Sequence, residues 1–145
     1  LSYKKAPFFN EIYLLIEDLL LQKESNLVKF ISYSLQKTCN YLSIQTTIMI
    51  SSEIKKKNNL KGQEKIIEIC KKVNATNYIN AIGGITLYDE KFFLKYNISL
   101  NFLKSNDIIY SQFKNEFIPW LSIIDVMMFN SPERIKNYLN QHELI

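Results

Sequence analysis

The stretch "NYINAIGGITLYDEKFF" (residues 77–93) combines a short apolar run, a pair of glycines and the start of a helix-like segment. The glycines are Gly83 and Gly84, and Asp89 and Glu90 follow where the helical spacing begins. A strand joined to a helix by a short loop is the repeating unit of α/β proteins. This stretch therefore predicts an α/β fold.

The segments on either side of this stretch extend the same alternation. Residues 46–51 are short and β-branched, the helical spacing of residues 62–73 follows, and apolar side chains alternate with polar ones at residues 99–103. Strands separated by single helices are typical of parallel sheets with crossover connections. We predict a mostly parallel sheet of at least three strands, near residues 46–51, 77–81 and 99–103.

Helices are predicted at both ends of the chain. Pro7 suits the first turn of a helix that runs to about Lys23, and Ser25 or Asn26 can cap the next helix. Two more helices are expected near the C-terminus, one opening near Pro119 and one at the Ser-Pro pair of residues 131–132. The whole chain, residues 1–145, is therefore predicted to be a single α/β domain with helices flanking the sheet.

Composition limits the class of protein. The 145 residues are 47% hydrophobic, which is enough for the core of one ordinary globular domain. No apolar run approaches the roughly 20 residues that a membrane span requires, so none is predicted. The net charge of +4 comes from lysines and a single arginine interspersed with acidic residues, whereas phosphate recognition favours arginine. We predict no nucleic-acid partner, and the lysines at 55–57 suit either a solvated loop or a positive patch.

Cysteine and histidine are too sparse for several kinds of site. Cys39 and Cys70 are far apart in the sequence, and the only histidine is His142, close to the C-terminus. This pattern predicts no metal site and argues against a histidine-based catalytic triad. Both cysteines lie in apolar, helix-like surroundings, as small core residues of a reducing compartment do, so a cytoplasmic location is expected. The sequence specifies neither a cofactor nor an oligomeric state.

The glycine pair is the first candidate site. Ligands of open parallel sheets bind beyond the carboxyl ends of the strands, where Gly83 and Gly84 are expected, and bare backbone can approach a ligand closely. A tight turn that lets a strand and a helix pack is the alternative. Asp89 and Glu90 are candidate acid and base residues, but acidic residues are also common in the first turn of a helix because they favour its dipole.

Asp125 is the second candidate, because it lies inside the apolar run "WLSIIDVMMFN". A carboxylate in such a segment must be paired or face a cleft. Ser122, Tyr110, Gln112 or a backbone amide are the candidate partners. A structural tether and a substrate contact both explain its position.

Several motifs together resemble the WbqC-like family. They are "YKKAPFF" at the start, "SSEI" at residues 51–54, Gly62 before "IIEIC", "YINAIGG" followed by "YDEKFF", and "YSQFKNEFIPWLSIIDVMMFN". Their order and spacing extend along nearly the whole chain, and the last segment is the most specific. The N-terminal signature of the family is absent, so the resemblance implies a fragment that lacks the family's N-terminal part.

The resemblance also implies a function. The family occurs in bacterial gene clusters for O-antigen and related surface polysaccharides, and a transferase role, including amino-acid or acyl transfer to a sugar, is implied. A small-molecule or sugar-linked substrate is then expected, and a non-catalytic binding or assembly module of the same pathway is the alternative. Asp125 and Asp89 are the catalytic candidates. The residues that match motif positions and are candidates for substrate binding are Ser52, Gly83, Gly84, Glu90, Tyr110, Gln112 and Ser122.

Overall fold

The computed structural model describes residues 2–57, 59–114 and 116–145. In chain order the elements are α1 (Phe9–Leu21), α2 (Leu27–Tyr41), α3 (Gly62–Lys72), β1 (Asn77–Ala81), a 3-10 helix (Ile82–Leu87), α4 (Glu90–Leu94), β2 (Ser99–Ser105), α5 (Ile123–Phe129), α6 (Pro132–Leu139) and β3 (His142–Leu144). They divide between two compact units, each of which is described by itself. The first unit comprises the residues up to Ile48 and Asp107–Gln141, and the second comprises Met49–Asn106 and His142–Ile145.

The second unit contains a mixed sheet in the order β1-β2-β3. β1 and β2 are parallel, with Asn77 opposite Ser99 and Ala81 opposite Leu103, and both were predicted from their apolar patterns. β2 and β3 are antiparallel, with Leu103 opposite Leu144. The α/β class is therefore confirmed, while the sheet is only partly parallel.

The predicted strand at residues 46–51 is wrong. These residues form no strand, and Thr46, Thr47 and Met49 are exposed. β-Branched residues favour strands because they pack well on a half-buried pleated surface, and not because of a strong preference of the backbone. This segment passes from the first unit to the second, and no strand in the described part of the chain pairs with it.

The third strand is instead β3, at the C-terminus. Its polar sequence gave no strand signal, because its three residues are all exposed and only its backbone is engaged. The amide of Ile145 donates to the carbonyl of Phe102 at 3.0 Å, and the amide of Phe102 donates back at 2.8 Å. Strand formation here depends on the free edge of β2 and not on side-chain periodicity.

The helix starts follow the predicted capping residues closely. The side chain of Asn26 accepts from the amide of Lys29 and begins α2. Ser131 accepts from the amide of Arg134 at the start of α6, with Pro132 in the first turn. Each such cap satisfies an amide that would otherwise lack a partner.

Each unit has its own core. In the first unit α1, α5 and α6 contribute Ile12, Val126, Met127, Met128 and Ile135, and Tyr110 packs among them. In the second unit Phe93, which is fully buried, packs with Ile67, Cys70, Ile98, Leu100 and Phe102. Burying a side chain such as Phe93 contributes about 1.5–3 kcal/mol.

Most large apolar side chains of α2 are exposed. Leu42 is buried, but Leu27, Ile31 and Leu35 remain 70%, 46% and 51% exposed. In α1, Leu14, Leu20 and Leu21 are exposed as well. Helical spacing therefore predicted the helices correctly without predicting which apolar residues are covered.

Across residues 2–57, 59–114 and 116–145, no helix combines the length and the apolar character needed to cross a membrane.

Candidate functional site

Asp125 is the centre of a buried polar cluster in the first unit. Its side chain is only 3% exposed. The hydroxyl of Tyr110 donates to Asp125 Oδ2 at 2.6 Å, and Gln112 Nε2 donates to the same oxygen at 2.8 Å. The predicted burial and pairing of Asp125 are therefore confirmed. No ion pair in the described part of the chain includes Asp125, so neutral donors hold this carboxylate.

The start of α5 fixes the position of Asp125. Ser122 is the residue before the helix, and its hydroxyl oxygen accepts from the amide of Ile124 at 3.2 Å. The amide of Asp125 donates to the carbonyl of Ser122 at 2.9 Å. Ser122 therefore caps the helix, and the carboxylate lies in its first turn, where the helix dipole favours a negative charge.

Gln112 joins the cluster to the loop that precedes α5. Its Oε1 accepts from the amide of Ile118 at 2.7 Å, and its Nε2 donates to the carbonyl of Ile118 at 3.1 Å as well as to Asp125. The side chain is 7% exposed. One buried amide therefore satisfies a loop backbone and orients the carboxylate at the same time.

Two tyrosine hydroxyls near the Asp125 carboxylate have raised pKa values. Burial, and then the hydrogen bond to Asp125, raise the pKa of the Tyr110 hydroxyl well above its usual range. Burial, followed by the neighbouring Asp125, also raises the pKa of Tyr3. Both hydroxyls therefore keep their protons at neutral pH and can act as hydrogen-bond donors.

Tyr110→Phe should lower stability and flatten its alkaline dependence. A raised pKa in the folded state gives stability that is fully present below about pH 10, the pKa of an unfolded tyrosine, and that is lost as the pH rises further. Removing the hydroxyl removes this dependence, and it costs about 1–3 kcal/mol at pH 7 because a buried charged acceptor loses a donor.

Thermal melts of the wild type and the variant at pH 7 and pH 11 measure both effects. Tyr13→Phe, at a partly exposed tyrosine of the same unit, is the matched control. Identical alkaline destabilisation in Tyr110→Phe and the wild type would contradict a raised pKa of Tyr110 in the folded state.

The glycine pair follows β1 in the second unit, and its two members differ. Neither glycine has a positive φ, so neither occupies a left-handed conformation in this turn. Gly84 is buried, and a Cβ at that position would lie 2.7 Å from Asn80 Nδ2. A Cβ at Gly83 would have no atom within 4 Å. Packing against Asn80 therefore explains Gly84, but packing does not explain Gly83.

Gly84→Ala should be destabilising, and Gly83→Ala should not. The side chain of Asn80 is held by a hydrogen bond from the amide of Ala81 at 2.8 Å, so moving it aside breaks that bond. We expect Gly84→Ala to lower the free energy of unfolding by about 1–3 kcal/mol and Gly83→Ala to change it by about 0.5 kcal/mol or less. Urea unfolding of both variants tests this difference, and equal losses would contradict it.

The acidic pair after the glycines starts α4. Asp89 Oδ1 accepts from the amide of Lys91 at 3.0 Å, so its side chain is a helix cap, while Glu90 is exposed in the first turn. Ser52 lies in an exposed turn of the same unit. Asp89 caps α4 and Glu90 lies in its first turn, so both residues have a structural explanation. The functional roles of Asp89, Glu90 and Ser52 stay predictions.

The structure joins only part of the predicted site. Tyr110, Gln112 and Asp125 are in mutual contact in the first unit, and Ser122 caps the helix that carries Asp125. The remaining candidates, Ser52, Gly83, Gly84, Asp89 and Glu90, belong to the second unit.

Sequence patterns missed the residues that surround the cluster. The ring of Phe129 lies 6.4 Å from that of Tyr110 and 6.1 Å from that of Tyr3. Beside them a groove is lined by Ser2, Lys4, Lys5, Pro7, Ser111, Phe113, Lys114 and Phe129. The available signal was the pairing of lysine with aromatic residues in both "YKKAPFF" and "QFK", two segments far apart in the sequence.

Among the described residues, no group of three or more His, Cys, Asp and Glu side chains could hold a metal ion.

Comparison with known proteins gives a family. No curated protein and no solved structure matches the chain. The model of the WbqC-like protein family matches residues 1–137, which is nearly the whole chain. The match includes the Tyr110, Gln112 and Asp125 cluster and the residues that line the groove beside it. The chain therefore belongs to the WbqC-like protein family.

Proposed function

We propose that this protein is a transferase that moves an amino-acid or other acyl group to a sugar during the synthesis of a bacterial surface polysaccharide such as O-antigen. The observation that carries the proposal is the buried carboxylate of Asp125, oriented by two neutral donors beside an open groove. Buried carboxylates without a cationic partner are costly, so they favour a functional explanation. The family resemblance supports the pathway.

The cluster is suited to general base catalysis. Tyr110 and Gln112 both donate to Oδ2 of Asp125, and this oriented carboxylate is the group that would accept a proton from a substrate. In the proposed step, an amino or hydroxyl group of the sugar attacks the carbonyl carbon of an activated acyl group. The new C–N or C–O bond forms, Asp125 takes the proton of the nucleophile, and the bond to the leaving group breaks with its electron pair.

A product-mass assay tests this function. The protein is incubated with pairs of activated amino acids or acyl donors and nucleotide sugars, and the mixtures are analysed by mass spectrometry. The expected result is a product heavier than the sugar by one acyl group, formed in proportion to protein concentration. No new mass from any pair, with protein shown to be folded, would oppose the proposal.

The alternative is a binding or assembly module of the same pathway. Exposed apolar side chains on two helices of the first unit favour it, because large apolar patches mark interaction surfaces. These residues are Leu14, Leu20 and Leu21 of α1 and Leu27, Val28, Ile31 and Leu35 of α2. Sedimentation analysis of the wild type and of Leu20→Glu measures self-association directly. Association that the substitution abolishes, together with an absence of transfer, would favour the module.

A further inference from the structure

The groove beside the Asp125 cluster is a cavity of ≈ 970 Å³ in the first unit. The residues before α1, the loop around Phe113 and the end of α5 form its walls. Its size falls within the range of pockets that bind cofactors and other small molecules. Ser111 lies on the groove wall, and both of its chain neighbours, Tyr110 and Gln112, contact Asp125. The groove and the cluster are therefore joined by one short segment of the chain.

The charged side chains that line the groove are all positive. Lys4, Lys5 and Lys114 line it, and no aspartate or glutamate does. In the described part of the chain, none of these three lysines has an ion-pair partner. Three ammonium groups around one cavity attract an anion, and two or more phosphate groups suit them better than a single carboxylate.

The groove also presents aromatic surface. The rings of Phe113 and Phe129 meet edge to face with centroids 4.7 Å apart, and Phe113 is still 44% exposed. Phe113 has φ 50°, a left-handed conformation that a bulky residue rarely adopts. Strained backbone conformations cluster at ligand sites, and the exposed part of the Phe113 ring is available to a ligand in the groove.

We propose that this groove binds a nucleoside diphosphate, with the diphosphate at Lys4, Lys5 and Lys114 and the base against the ring of Phe113. A nucleoside diphosphate combines the two features that the lining requires, a multiply charged anion and a planar ring. The inference deepens the proposed function and rests on it in one respect, because the diphosphate would be the carrier of the sugar that receives the acyl group.

Titration calorimetry with uridine diphosphate tests the groove. The variant Lys4→Gln, Lys5→Gln, Lys114→Gln should weaken binding about tenfold or more. The matched control, Lys23→Gln, Lys29→Gln, Lys136→Gln, removes the same charge from the same unit away from the groove and should change the affinity less than about twofold. Lys114→Gln alone serves as a second variant if the triple substitution lowers the melting temperature.

A second comparison separates the contribution of the Phe113 ring to binding from that of the lysine charges. Phe113→Asn keeps a residue that tolerates positive φ and removes the ring. It should weaken uridine diphosphate about fivefold or more, through lost stacking, and leave the affinity for inorganic diphosphate unchanged.

Several results would overturn the proposal. They are no binding of uridine diphosphate to the wild type, equal losses in the two triple variants, or tighter binding of a single-stranded oligonucleotide than of uridine diphosphate. Failure of the proposed function is distinguishable from these. Lysine-dependent binding of uridine diphosphate without any transfer product supports the groove and opposes the transferase, whereas transfer without such binding opposes the groove alone.

Discussion

Asp125→Asn is expected to leave the protein folded and to reduce acyl transfer by about 100-fold to 10,000-fold. An asparagine has the same shape, and its oxygen can still accept from Tyr110 and Gln112, but it cannot take a proton from a nucleophile. The free energy of unfolding should fall by only about 1–2 kcal/mol, since two bonds to a charged acceptor become bonds to a neutral one. The rate of product formation and the melting temperature measure the two effects.

Asp18→Asn is the matched control for this prediction. Asp18 is an exposed aspartate of the same unit, in an ion pair with Lys37, and surface pairs contribute little to stability. We expect it to change neither rate nor melting temperature appreciably. If Asp125→Asn lowers the melting temperature strongly and retains full activity per folded molecule, then Asp125 is a structural tether and not a base.

Gln112→Glu should make the stability of the protein depend on pH. In the wild type, Gln112 Nε2 lies 2.8 Å from Asp125 Oδ2, so a glutamate would place a second carboxyl oxygen against the first. Two carboxylates at that distance cannot both be ionised, and the folded variant must bind a proton that the unfolded chain releases near pH 4. Because the folded state then binds more protons, its stability falls as the pH rises.

The expected loss in Gln112→Glu is about 3–5 kcal/mol at pH 8, and much of it should be recovered at pH 5. Gln112→Met is the control, because it removes the contacts with Ile118 and Asp125 without adding a carboxyl group. The loss of unfolding free energy in Gln112→Met should be similar at pH 5 and pH 8. Urea unfolding at pH 5 and pH 8 makes the comparison, and a pH-independent loss in Gln112→Glu would contradict the geometry.

Local signals predicted much of the fold. The strand at residues 77–81, the cap at Asn26 and the Ser-Pro start of α6 depend on neighbouring residues, and the structure confirms all three. The strand predicted at residues 46–51 failed because it needed a partner elsewhere in the chain. β3 was missed for the complementary reason, since the edge of β2 supplies its hydrogen bonds and its own side chains are exposed.

The candidate site likewise has a part that local sequence signals predict and a part that depends on distant segments of the chain. Asp125 could be identified from the sequence because a charge inside an apolar helix requires a partner, and Tyr110 and Gln112 were among the nominated partners. The groove could not be predicted, because its lysines come from two segments more than a hundred residues apart. Periodicity reports which face of an element is apolar, but it does not report which distant segments meet.

We infer that the Asp125 cluster and the lysine groove form one substrate site. The most direct measurement is the carbon chemical shift of the Asp125 carboxyl group, followed by NMR while uridine diphosphate is added, with Asp125→Asn used to assign the signal. We expect this signal and the backbone amide signal of Lys114 to move along the same binding curve. Movement of the Lys114 signal with no change at Asp125 would contradict it.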